Sequence, residues 1–133
     1  MISHALPRLE ALPGTFAIAK IKEPSDIRWT DPFVFIGKTD EELSLVAPEP
    51  SVPADASPVE RGYRLLRVCG PLDMSLTGIL SGISAVLAEA RIPIFAVSTW
   101  NTDYILIRGA LFEAALRSLE KAGYSVNRSK SST

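Results

Sequence analysis

Eight of the ten prolines in this 133-residue chain fall within its first 61 residues, whereas six of its eight glycines come later. Proline lacks a backbone donor and its ring clashes with the preceding helical turn. A first half punctuated this often can hold short strands but few long helices. Charge divides at the same place. Residues 1–61 carry six basic and ten acidic groups, net −4, and residues 62–133 carry eight basic and five acidic, net +3. Two unlike halves are expected.

Composition removes several functions. With 47% hydrophobic and 22% charged residues the chain lies outside the disordered class, and a monomer of this size hides roughly two-thirds of its unfolded surface. The overall net charge of −1 provides no general basic field for nucleic acid or an anionic membrane. One cysteine, Cys69, forms no internal disulfide, and one histidine, His4, sits near the chain start. Zinc-type sites take three or four such ligands, so neither a metal nor a cofactor is expected. Cys69 reads as a small core hydrophobe. The first seven residues lack the pattern of a signal peptide, and no apolar run approaches the roughly 18 residues of a membrane-spanning helix. A cytoplasmic location is expected.

Strands are expected at Phe16–Ile21, Phe33–Lys38 and Leu43–Ala47, the last two joined by the polar tetrad Thr39–Glu42, which suits a hairpin turn. Residues 22–32 leave room for one helical turn at most, and Pro48–Pro58 reads as a connection. A strand over Tyr63–Leu72 follows. From Leu76 to Ala90 apolar residues recur at helical spacing, with Asp73 or Ser75 as cap. Strands are expected at Ile92–Thr99 and Asp103–Arg108, flanking a short turn. A second helix buries Phe112, Ala115, Leu116 and Leu119 and stops at Gly123, before a strand at Tyr124–Arg128. The order from residue 63 onward is the split βαβ, ferredoxin-like unit. Residues 14–48 form a worn copy of it. Ile92–Val97 is apolar on both faces, so one face needs a cover besides the helices.

Two segments could carry chemistry. In the loop from Gly70 to Leu80, small and hydroxyl residues precede a helix whose first amides are unpaired and partially positive, a place where a carboxylate can dock. The plainer reading is an ordinary capped helix with glycines allowing close packing. In the segment Ser98–Tyr104, Asp103 stands between strongly apolar strands. It is solvated, bonded to the turn backbone, or facing a cation. Amides on one side of a cleft and Asp103 on the other would suit a zwitterion such as an α-amino acid.

The run Leu72–Leu80, the hairpin Ile94–Leu106 and the stretch Thr39-x-x-Glu42-Leu43-Ser44-Leu45-Val46 together resemble the bacterial tandem ACT-domain family related to the CASTOR arginine sensors. The resemblance spans residues 14–126. It implies an α+β fold of two ferredoxin-like (ACT-type) βαββαβ units in tandem, the first degenerate: residues 1–61 an incomplete unit with its proline-rich connection, residues 62–128 a regular one, residues 129–133 a polar tail. It further implies a regulatory, non-enzymatic protein that binds a small ligand, typically an amino acid, at an interface between ACT units. By motif position Ser75, Leu76, Thr77, Gly78, Ile79, Ser98, Thr99, Thr102 and Asp103 would line that site. Leu76 stands where the arginine sensors carry an acidic residue, which weighs against arginine as ligand. Arg91 stands where the family has Gly, in the turn after the first helix.

The competing reading is an interaction or homodimerisation module with no retained ligand site. RNA binding fails on the third strand of the second unit, Asp103–Gly109, which lacks the basic and aromatic pattern of an RNA-recognition strand. An enzyme is the least supported reading, because no His, Cys or second carboxylate is placed near Asp103.

Overall fold

The computed structural model describes residues 6–70 and 78–128. Along the chain come strands β1 (Leu9–Lys20), β2 (Phe35–Lys38), β3 (Leu43–Pro48) and β4 (Val59–Val68), helix α1 (Ile79–Glu89), strands β5 (Phe95–Ser98) and β6 (Asp103–Arg108), helix α2 (Gly109–Lys121) and strand β7 (Val126–Arg128). Single 3-10 turns occupy Pro24–Asp26 and Glu49–Ser51. The chain separates into two compact units, Gly14–Tyr63 and Met1–Pro13 with Arg64–Thr133. The smaller unit is therefore inserted into the larger, and β1 and β4 each run from one into the other. Strand β4 passes between the units at Tyr63 and Arg64. The start of β1, however, joins the later unit, because Leu9 and Ala11 belong to its core.

In the larger unit the strand order is β7-β1-β4-β6-β5. The start of β1 is thus a fifth strand added to the four of the ferredoxin-like plan, parallel to β7 with Leu9 opposite Val126. Strands β5 and β6 form an antiparallel hairpin with Phe95 opposite Leu106 and Ser98 opposite Asp103. The helices bury their expected stripes, Ile83 and Leu87 from α1 and Phe112, Ala115, Leu116 and Leu119 from α2. These meet alternate residues of the strands, among them Leu66, Val68, Ile105 and Ile107.

In the smaller unit the order is β2-β3-β1-β4. Proline density has the effect expected of it: the stretches between strands make single 3-10 turns where a ferredoxin-like unit has helices. Their side chains still fill the core, where Ile27, Val52 and Ala56 pack with Ala19, Ile21 and Leu45. In the Thr39–Glu42 hairpin turn the Thr39 hydroxyl oxygen accepts from the amides of Glu41 and Glu42.

Several expectations are corrected. The strand expected at Phe16–Ile21 begins earlier, and β1 runs through Pro13-Gly14 over twelve residues. Gly14 takes φ +92°, a value that spares the strand a side chain in a left-handed conformation. Pro13 lies between the part of β1 paired with β7 and the part paired with β3, where a missing donor costs least. Strand β4 covers Val59–Val68 rather than 63–72, and β5 is shorter than 92–99. Helix α1 is Ile79–Glu89, with Gly78 at φ +81° as its N-cap and no side-chain cap bond; Leu76, where the helical pattern is expected to begin, lies outside the described residues. Asp73 and Ser75, the expected caps, lie outside the described residues. Cys69 is half-buried rather than core, since it follows the last residue of β4. Among the described residues β5 ends the strand order of its unit, and Phe95 is 40% exposed.

Both helices end in the same way. After α1 the Arg91 amide donates to Ala88 and the Ile92 amide to Leu87; after α2 the Gly123 amide donates to Glu120 and the Tyr124 amide to Leu119. This is the double bond of a Schellman motif, which needs one left-handed residue. Gly123 supplies it at φ +106°, whereas in α1 it falls to Arg91 at φ +62°, where the resemblance expects Gly.

Candidate functional site

The β5–β6 hairpin is closed by threonine rather than aspartate. The Thr99 amide and hydroxyl both donate to the Thr102 carbonyl, at 2.9 and 3.0 Å. That leaves Asp103 outside the turn's own bonding. Its Oδ1 accepts the Ser98 hydroxyl proton at 2.6 Å across the last rung of the ladder, a short charge-assisted bond. Asp103 is half-buried, and among the described residues no cation is ion-paired with it. Ile105 and Ile107 point into the helix-covered core, so by strand alternation Asp103 and Ser98 lie on that same face. Trp100, at the hairpin tip, is 79% exposed.

Thr102 is buried at 5% exposure, and its hydroxyl donates to the Val68 carbonyl at 2.6 Å. The hairpin is therefore fixed to the end of β4, where the chain enters the segment leading to α1. Of the residues expected to line a site on that segment, Ser75, Leu76 and Thr77 lie outside the described residues. Gly78 is exposed, and a Cβ built on it would meet Ser81 Oγ at 3.8 Å, so its outer side is open. Ile79 is half-buried and packs against the core. The structure thus joins Ser98, Thr99, Thr102 and Asp103 in one hairpin and divides their roles: Ser98 orients Asp103, Thr99 closes the turn, and Thr102 anchors it.

Sequence reading missed the pair Glu10 and Arg67. Arg67 Nη2 and Nε donate to Glu10 Oε1 at 2.8 and 3.3 Å, and Tyr104 adds a further bond. The Glu10 bond raises the already high pKa of this guanidinium, so it is charged at all working pH. All three residues alternate with core residues on β1, β4 and β6 and so share the face away from the helices. The signal lay in that alternation, but 57 residues separate the partners and nothing local links them. A groove of about 370 Å³ between the last turns of α1 and α2 is lined by Val86, Glu89, Ala90, Ser118, Lys121 and Ala122. None of the expected site residues borders it. Among the described residues no group of three or more His, Cys, Asp or Glu gathers as for a metal, and no helix is long and apolar enough to cross a membrane.

Residues 59–121 match the ACT domain family. Over 96% of both chains the protein is similar to Atu0741 of Agobacterium tumefaciens, at 30% identity and a TM-score of 0.85. It is similar in fold to VC0802 of Vibrio cholerae, described as a possible transport protein, at 15% identity and a TM-score of 0.69 over 86% of this chain and 88% of that one. The regulatory subunit of aspartate kinase from Thermus flavus superposes at a TM-score of 0.63 and 11% identity, over 90% of this chain and 99% of that one. The last two likenesses speak for fold alone. No curated protein matches the chain.

Proposed function

We propose, for a chain that belongs to the same family as Atu0741 and has an ACT-type fold with its ACT domain over residues 59–121, a non-catalytic regulatory role in which a free amino acid is the signal. The observation that carries this reading is the Asp103 carboxylate. Ser98 orients it, the hairpin half-buries it, and among the described residues no cation neutralises it. A carboxylate so held favours an ammonium group. The ligand's own carboxylate would meet the segment Ser75–Ile79, through backbone amides and the hydroxyls of Ser75 and Thr77. The fold likeness to regulatory subunits of aspartate kinase supports a regulatory part. The finer placement among tandem ACT proteins related to the arginine sensors rests on the Leu72–Leu80, hairpin and Thr39–Val46 sequence motifs.

We place the site at an interface between the ACT units of two copies of the chain. Among the described residues β5 pairs with β6 alone, and its sequence Phe95-Ala96-Val97-Ser98 carries no charge that would discourage edge pairing. The same edge favours the second reading, a homodimerisation module that has lost its ligand. A thermal-shift panel of free amino acids at millimolar concentration on the full chain separates the two. Binding to the native state alone raises stability by about 2.7 kcal/mol at a hundredfold excess over Kd. A rise of several degrees with at least one amino acid is expected. A dimer indifferent to every amino acid would leave only the second reading.

A further inference from the structure

The sequence motif places Thr102 among the residues touching a ligand, yet its side chain is 5% exposed and its hydroxyl proton is committed to the Val68 carbonyl at 2.6 Å. Its backbone meanwhile closes the turn, the carbonyl accepting both the Thr99 amide and the Thr99 hydroxyl. Thr102 is thus the node at which the turn is tied to itself and, through the side chain, to a second strand. Asp103 is its neighbour in sequence, so any shift of Thr102 displaces that carboxylate. Burial keeps water from competing for the bond, and a buried carbonyl left without a donor is costly.

We infer that Thr102 is a positioning residue, holding the hairpin against the end of β4 so that Asp103 stands ready for a cationic group, and does not itself touch the ligand. This rests on the reading of Asp103 as the ammonium anchor. A branched side chain suits the role. Its restricted χ1 keeps the hydroxyl aimed at Val68, whereas valine would keep the shape and lose the donor.

The test compares wild type with Thr102→Val, Thr102→Ser and Ile107→Val, the last a mild change at a buried position on the same strand β6. Each full-length protein is titrated with an equimolar mixture of free amino acids, and the concentration giving half the maximal thermal shift is recorded. Thr102→Val raises that concentration about tenfold, and Thr102→Ser leaves it within about twofold. Ile107→Val lowers Tm without moving it. Wild-type half-saturation in Thr102→Val, or a serine variant as weak as the valine one, overturns the assignment. Should the valine variant not fold, the serine variant decides alone: retained half-saturation supports the role and its loss overturns it. Amide exchange gives a readout independent of any ligand. Exchange at Thr99 and Thr102 quickens at least about tenfold in Thr102→Val relative to the centre of β6, and unchanged protection there overturns the brace. If wild type itself shows no shift with the mixture, the amino-acid reading fails, while exchange still decides the part played by Thr102.

Discussion

Ser98 and Asp103 face each other across the final rung of one hairpin, and the 2.6 Å bond between them fixes which carboxylate oxygen is used within the protein. The substitution Asp103→Asn keeps an oxygen for Ser98 but removes the charge. It should change stability by no more than about 1 kcal/mol while abolishing stabilisation by amino acids, as thermal melts with and without ligand would reveal. Tyr124 offers a test of burial. It is 7% exposed, and desolvation raises its pKa above the ordinary value. Below about pH 10 the phenol is neutral in both folded and unfolded chains and costs nothing. Above that, the unfolded chain loses the proton first, so stability falls as pH rises toward the higher folded pKa. Urea midpoints at about pH 9 and about pH 11 should drop less between the two conditions for Tyr124→Phe than for wild type. An equal drop in both would contradict the burial argument.

The two helix ends form a natural pair of controls. Both close with the same two amide bonds, but α2 turns on Gly123 and α1 on Arg91. A side chain in the left-handed region costs about 1–2 kcal/mol, whereas glycine costs some entropy in the unfolded chain. Arg91→Gly should therefore raise stability by up to about 1 kcal/mol. Gly123→Ala should lower it by at least as much, because alanine is strained at φ +106°. Chemical denaturation of the two variants checks both signs. Element by element, periodic patterns and local turns were legible, whereas the starts of β1 and α1 were not. The stripes of α1 and α2, the Thr39–Glu42 turn and the start of β6 at Asp103 could be read directly, because each depends on neighbours in sequence. Strand β1 could not, since Pro13-Gly14 looks like a break unless one knows that different strands flank it on either side. The start of α1 misled for a similar reason: Gly78, not a hydroxyl or carboxylate, is the residue in the capping position.

On the scale of the molecule, the uneven proline and charge distributions correspond to two units, one regular and one without helices. The insertion of the small unit into the large one was not legible, because it depends on Leu9 and Ala11 packing with residues more than fifty positions away. At the hairpin, motif position named Ser98 and Asp103 but not the bond between them, and the anchoring of Thr102 on Val68 is a tertiary contact with no local signature. Assembly has its own prediction. If two copies associate through β5, Ala96→Lys, at an exposed position of that edge strand, should shift sedimentation toward the monomer with the fold intact. Unchanged association would place the contact elsewhere. The central claim is that this fold reads a free amino acid through Asp103, and the most direct measurement is calorimetric titration of the wild-type chain and its Asp103→Asn variant with the amino acid giving the largest thermal shift. Saturable binding to wild type, lost in the folded variant, is the predicted result; no heat of binding to wild type, or equal binding to both, would contradict it.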